Sequence, residues 1–66
     1  MTITANGTQR TVPEGASLEA VLRTLGLTPE RVVVEHNGVA LRRDRFGSTV
    51  LCEGDRLEIA QMVGGG

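Results

Sequence analysis

Aromatic residues are nearly absent from this 66-residue chain, which has one phenylalanine, Phe46, and no tryptophan or tyrosine. Without aromatic faces there is no stacking platform for single-stranded nucleic acid. Lysine is missing too: all seven basic residues are arginines, set against eight acidic ones for a net charge of -1. That balance points neither to nucleic acid nor to an anionic membrane surface, and the chain offers no lysine side chain for modification. A single cysteine, Cys52, excludes an internal disulfide and leaves no cysteine cluster for zinc. A free thiol suits a reducing compartment. The start, Met1-Thr2-Ile3-Thr4, has neither a basic region nor an apolar one, so no signal peptide is expected. No run approaches the ~18 apolar residues of a membrane span. The expectation is a soluble, cytoplasmic protein.

Length sets the next limit. A chain this short forms one domain and buries only about 60% of the surface its unfolded form exposes. It has little room for a deep substrate cavity.

Glycine is what the chain has in plenty, and its positions mark the architecture. Six of the nine glycines fall between candidate elements and three end the chain. From Met1 to Ala5, Ile3 and Ala5 alternate with Thr2 and Thr4, a strand pattern. Asn6-Gly7 then favours a two-residue hairpin turn, and Thr8 to Val12 returns as a second strand. Ser17 is a good helix N-cap, with Glu19 in the first turn where the helix dipole favours an acid. Leu18, Val21, Leu22 and Leu25 recur at helical spacing and define one apolar face, and Gly26 sits where a C-terminal cap belongs.

Beyond Pro29, the β-branched run Val32-Val33-Val34 reads as a strand. Asn37-Gly38 repeats the hairpin signal, and Val39 to Leu41 can pair back. Arg42 to Ser48 is polar and irregular, with Phe46 as its anchor to the core. Thr49-Val50-Leu51 is a candidate short strand. After the turn Glu53-Gly54-Asp55, Arg56 to Val63 closes the domain as a strand, with Leu57 and Ile59 on one face and Arg56 and Glu58 on the other. Two hairpins flanking one helix make an α+β layer fold: a mixed sheet of four to five strands, covered on one face by one helix. The domain is expected over residues 1–63, followed by a flexible glycine tail at 64–66.

That tail is the candidate for chemistry. Gly64, Gly65 and Gly66 impose no side chains and few backbone restrictions. Extended, they reach roughly 10 Å past the folded body at about 3.3–3.6 Å per residue. A floppy end is the ordinary reading of such a sequence. Against it, the tail follows a strand without a spacer, contains no serine, and presents a bare glycine carboxylate. A carboxylate resists nucleophiles until one oxygen becomes part of a leaving group. Adenylation by ATP supplies that group at a site that must exclude water. Only a chain without β-carbons threads a narrow channel to such a site, so the fold positions the tail and a partner performs the catalysis.

The order of elements, the length, and the ending Glu53-Gly54-Asp55-Arg56-Leu57-Glu58-Ile59 followed by Val63-Gly64-Gly65-Gly66 resemble the ThiS family of thiamine-biosynthesis sulfur carriers, which have the ubiquitin-like β-grasp fold. Val32-Val33-Val34-Glu35-His36-Asn37-Gly38 resembles that family's strand and turn before its variable loop. The resemblance spans the whole chain. It implies that the Gly66 carboxylate is adenylated by an E1-like (ThiF-like) enzyme that consumes ATP. A sulfur donor system then converts it to a thiocarboxylate, a covalent 1-thioglycine at Gly66. A thiazole synthase (ThiG-like) takes the sulfur for thiamine's thiazole ring. Gly65 matches the other member of the family's terminal pair, with Gly64 less essential. No bound cofactor or metal is implied, and the chain is a recycled co-substrate rather than an enzyme.

The remaining polar residues carry weaker signals. Cys52 sits among Glu53 and Asp55, whose charge disfavours a thiolate, so a persulfide relay is a poor reading of it. His36 has no catalytic or metal-ligating neighbour at suitable spacing and reads as structural. Arg42, Arg43 and Arg45 around Asp44 read as a solvated loop. Ala60 and Met62 fall on the strand face opposite Leu57 and Ile59; with Val33, and Val63 at the tail's root, they form a candidate docking patch for partner enzymes. Scattered surface apolarity is the equally open alternative. Two rival functions remain: a sulfur carrier for another pathway, such as a small subunit of molybdopterin synthase (usually longer), or a passive β-grasp interaction module of the kind found on RNA-handling enzymes. The module predicts a basic or aromatic face, and the sequence shows neither.

Overall fold

The computed structural model describes residues 1–62. Strand β1 (Thr2–Ala5) turns at Asn6-Gly7 into β2 (Thr8–Thr11), and α1 follows at Leu18–Thr24. Strand β3 (Val32–His36) turns at Asn37-Gly38 into β4 (Val39–Leu41), and β5 (Arg56–Gln61) comes last. Both turns have positive φ at their two central residues: 51° and 80° at Asn6 and Gly7, 52° and 85° at Asn37 and Gly38. Asparagine and glycine are the residues that tolerate that backbone, and the resulting twist suits the flanking strands.

The five strands lie in the order β2-β1-β5-β3-β4. β5, the last in sequence, is therefore central. It runs parallel to β1, with Thr4 opposite Arg56 and Ala5 opposite Leu57. On its other side it runs antiparallel to β3, from Val32 opposite Gln61 to His36 opposite Leu57. The edge strand β2, Thr-Gln-Arg-Thr, is exposed along its whole length, and its polarity blunts that edge against unwanted pairing.

α1 is only seven residues long, too short to hold its shape alone in water. Ser17 caps it by accepting the Ala20 amide at 3.1 Å. Leu18, Val21 and Leu22 are buried against Ile3, Val32, Val34 and Leu57 on one face of the sheet. Alternation sends the neighbours of those strand residues, Val33, Glu35, Glu58 and Ala60, to the opposite face, where all four are exposed. The helix covers one face and leaves the other open, as the sequence pattern requires.

Three local expectations need correction. Residues 49–51 form no strand; Val50 makes only an isolated bridge to Ser17. Their backbone groups serve the helix entrance, Leu18 N donating to Thr49 O at 2.8 Å and Leu51 N to Ala16 O at 3.0 Å. That leaves no pairing to spare for the sheet. A 3₁₀ turn, Arg43–Arg45, lies within the Arg42 to Ser48 segment expected to be irregular, and a second one occupies Pro29–Arg31. β5 ends at Gln61, short of the expected Val63.

Phe46 is 2% exposed and joins the core from the long polar loop, as its isolation as the only aromatic suggested. Its carbonyl also accepts the Glu19 amide at 3.1 Å, tying the loop to the helix start. Phe46→Ala should lower the unfolding free energy by about 3–5 kcal/mol in urea denaturation. A loss under about 1 kcal/mol would show that the loop does not depend on this ring.

Candidate functional site

Two regions of the domain are candidates for function: the open sheet face leading toward Met62, and a carboxylate hub at the opposite end of β5. Expected site residues Val63, Gly64, Gly65 and Gly66 lie outside the described residues. What can be described is where the chain leaves the sheet. Met62, directly after β5, donates its amide to Arg31 O at 2.8 Å, which holds the exit beside the start of β3.

The open face brings the candidate patch together. Val33 and Ala60 are cross-strand partners on β3 and β5. Val33 is 56% exposed and Met62 51%. A concavity of about 500 Å³ touches both, but its other lining residues, Val32, Leu41, Arg42, Arg43, Asp44 and Phe46, place it at the start of β3 beside the 42–46 loop rather than on the open face. A shallower one of about 220 Å³ lies on the other side of Val33, among Glu35, Glu58, Ile59 and Ala60. Exposed apolar side chains gathered around such hollows form an interaction surface more readily than scattered ones.

Asp55 was not singled out in the sequence, and it organises the other end. It is 9% exposed, the one buried charged residue among the described residues. Its Oδ2 lies 2.8 Å from His36 Nε2 and accepts the Cys52 amide at 2.8 Å. Its Oδ1 accepts Asn37 Nδ2 at 3.1 Å. A carboxylate only accepts, so the His36 nitrogen facing it must carry the proton. Burial pushes the Asp55 carboxyl up. The hydrogen bonds from His36, Cys52 and Asn37, with the attraction of His36, outweigh that and hold it below its usual value. The only sequence signal was an acid placed between a turn glycine, Gly54 with φ +84°, and a strand.

Both hairpin turns are fastened to β5 through their asparagines. Asn6 Oδ1 accepts the Ile59 amide at 2.7 Å while its Nδ2 donates to Ile59 O at 2.9 Å. Asn37 Oδ1 accepts the Arg56 amide at 2.8 Å. Each asparagine thus substitutes for a missing stretch of neighbouring strand.

These pairings decide what the hub can do. Asp55 has both oxygens occupied, and His36 is engaged with Asp55 and, among the described residues, forms no hydrogen bond with a serine or cysteine side chain. Cys52 is exposed. Among the described residues there is no group of three potential metal ligands, and no nucleophile rests against a base. Arg42 pairs with Asp44 at 3.5 Å on the surface, and Arg43 donates to Glu30 O at 2.9 Å. The loop is solvated, as its composition suggested.

A mixed five-stranded sheet with one helix laid across one face defines a ubiquitin-like β-grasp domain. The sequence profile of the ThiS family matches residues 2–66. The crystal structure of a thiamine biosynthesis protein (ThiS) from Geobacter metallireducens superposes with a TM-score of 0.84 at 36% identity, covering 100% of both chains. Over its full length the chain is 39% identical to the thiazole synthase of Magnetococcus marinus, of which it spans 20%. It is 38% identical to the uncharacterized protein ycf40 of Pyropia yezoensis and spans 93% of that one. The chain belongs to the ThiS family.

The hub makes a pH prediction with a definite sign. A carboxyl whose pKa is lowered by folding stabilises the folded state above its unfolded pKa, about 3.9 for aspartate. That contribution disappears as the pH falls from there through the lower folded value. Asp55→Asn should cost about 1–3 kcal/mol at neutral pH and flatten the acid limb of the stability profile. Identical acid limbs for both proteins would show that Asp55 does not carry this dependence.

Proposed function

We propose that this chain is a sulfur carrier of thiamine biosynthesis, with the carboxylate of Gly66 as the group that carries sulfur. The match of residues 2–66 to the ThiS family carries the reading. The run Gly64-Gly65-Gly66, two residues beyond the end of the central strand at Gln61, supports it. The described residues contribute no catalytic constellation of their own, which fits a co-substrate.

The chemistry belongs to partners and the presentation to this chain. In the E1-like enzyme, a Gly66 carboxylate oxygen attacks the α-phosphorus of ATP and pyrophosphate leaves. Sulfide from the donor system then attacks the acyl carbon as HS⁻, forming the C–S bond as the bond to AMP breaks, and leaves the thiocarboxylate. In thiazole synthase that sulfur bonds to a substrate carbon, the acyl C–S bond breaks as an oxygen displaced from that substrate takes its place, and the regenerated carboxylate re-enters the cycle. Each step needs a site closed to water, because an acyl-adenylate hydrolyses readily. A tail without β-carbons reaches such a site through a passage too narrow for side chains.

β5 sets the direction in which the tail is offered. Its pairing on both sides makes it the most constrained strand of the sheet, and the Met62–Arg31 hydrogen bond extends that constraint to the exit. Val33, Ala60 and Met62, together with Val63, form the docking patch beside it. Both partners read the same patch in turn, and the flexible thioether of Met62 suits two different contours. The same-sign pair Glu35 and Glu58 on this face argues against an RNA-binding module. Among the described residues no helix is long and apolar enough to cross a membrane, and the proposed cycle runs in the cytoplasm.

Extension of the chain by one residue after Gly66, or Gly65→Phe, should abolish adenylation by the host's E1-like enzyme, read as ATP–pyrophosphate exchange, with the fold unchanged by circular dichroism. Full exchange with either variant would remove the threading argument. Met62→Asp should weaken binding to the E1-like enzyme and to thiazole synthase by roughly tenfold or more, about the effect of a charge left in an apolar contact. Unchanged binding to both would dissolve the patch.

A further inference from the structure

The turn that joins β3 to β4 holds a chemically reactive pair. In Asn37-Gly38, attack of the Gly38 amide nitrogen on the Asn37 side-chain carbonyl carbon closes a succinimide ring, and glycine brings no Cβ to crowd the approach. Both residues are exposed to solvent. A Cβ placed on Gly38 would meet nothing within 4 Å. Among the described residues the Gly38 amide donates to no backbone group. What opposes the reaction is the anchoring of the Asn37 side chain to β5. Its Oδ1 accepts the Arg56 amide at 2.8 Å, and its Nδ2 donates to Asp55 Oδ1 at 3.1 Å. Ring closure makes the side-chain carbon tetrahedral and turns it toward Gly38, so both hydrogen bonds must be given up first.

The product changes the hub. The Gly38 nitrogen bonds to the side-chain carbon, its proton passes to the departing nitrogen, and ammonia leaves. Water then opens the ring at either carbonyl, giving an aspartate or its β-linked isomer, so solvent is the only co-reactant. The group that faced Asp55 Oδ1 as a donor is now a carboxylate oxygen. Asp55 already accepts the Cys52 amide and is bonded to His36, each at 2.8 Å. Neither carboxylate has a proton to share at neutral pH, and like charges so close disfavour each other. Asn6-Gly7 has the same intrinsic chemistry with a milder result. Both atoms of the Asn6 amide bond to the Ile59 backbone, so a new oxygen there faces a carbonyl rather than a charge.

We propose that Asn37 is a site of spontaneous deamidation, guarded by its hydrogen bonds to Arg56 and Asp55, and that its modification replaces a fastening of β5 with two opposed carboxylates. The guard and the lesion involve the same atoms. The hairpin opens locally, the ring closes, and the turn that re-forms holds the start of β5 less well. Conversion therefore records openings of this corner of the sheet, which are rarer than those of a free turn. It runs one way, because ammonia is lost to solvent. The proposal stands whether or not Gly66 carries sulfur. For a chain used repeatedly, as the proposed carrier is, it sets an upper bound on working life.

Two experiments test it. In the first, the chain is incubated in mildly alkaline buffer, folded and in urea, and conversion at Asn37 and Asn6 is followed by peptide mapping. Asn37 should convert in the folded chain, at least about tenfold more slowly than in urea. Asp55→Ala should speed conversion of folded Asn37 several-fold while Asn6 keeps its wild-type rate. Equal rates in buffer and urea would overturn the guard, as would equal acceleration of both asparagines by Asp55→Ala, which marks global unfolding. No conversion of folded Asn37 while the unfolded chain converts fully would overturn the site. In the second, Asn37→Asp reproduces the product. Aspartate tolerates the positive φ of 52° here, so backbone strain does not enter. This variant should melt lower than wild type by about 5 °C or more. Adding Asp55→Asn restores a donor between the two side chains and should recover roughly half of that loss. An Asn37→Asp chain that melts with the wild type, or a double variant that melts no higher than Asn37→Asp alone, would overturn the opposed-carboxylate account.

Discussion

β5 pairs with β1 on one side and β3 on the other, and no other strand connects the two hairpins. Without it there are two marginal ribbons and a seven-residue helix, none stable alone. With it, the ladders of both hairpins close on a common strand, and Leu57 reaches complete burial under α1. The strand that completes the fold is also the one that leads to the chain end. Any state in which β5 is out of the sheet therefore loses the stability of the whole domain.

The turns show how that strand is secured. Asn6 and Asn37 occupy backbone positions that few residues tolerate, and each uses its amide to satisfy β5 groups that lie past the reach of β1 or β3. Asp55 then gathers His36, Asn37 and the Cys52 amide at the strand's entry. A buried carboxylate is costly unless its lone pairs are filled, and here they are. The polar network holds one end of β5 and the open face flanks the other.

Much of this was legible in the sequence because the signals are local. An Asn-Gly pair favours positive φ through its own chemistry, and Ser17 before Leu18 is a good helix N-cap. The alternation that begins at Arg56 assigns Ala60 to the face opposite Leu57 and Ile59 without knowledge of the neighbours; that Val33 shares that face is set by its pairing with Ala60. What depended on distant pairing was not legible. Residues 49–51 look like a strand, and only the packing of the helix entrance shows that their backbone is already engaged. Asp55 looked like a turn residue, since its partners lie 18 and 19 positions earlier and meet it only after β3 has joined β5. The opposition of Glu35 and Glu58 is likewise a property of register, invisible until the two strands are aligned.

The central claim is that Gly66 carries sulfur, and the most direct measurement is the intact mass of the untagged protein. It would be taken on material from the host and again after incubation with ATP, the E1-like enzyme and a sulfur source. The account predicts a species heavier by the difference between sulfur and oxygen, with fragmentation placing the change at Gly66. A mass that never changes, while the same enzyme preparation loads a control carrier, would contradict it.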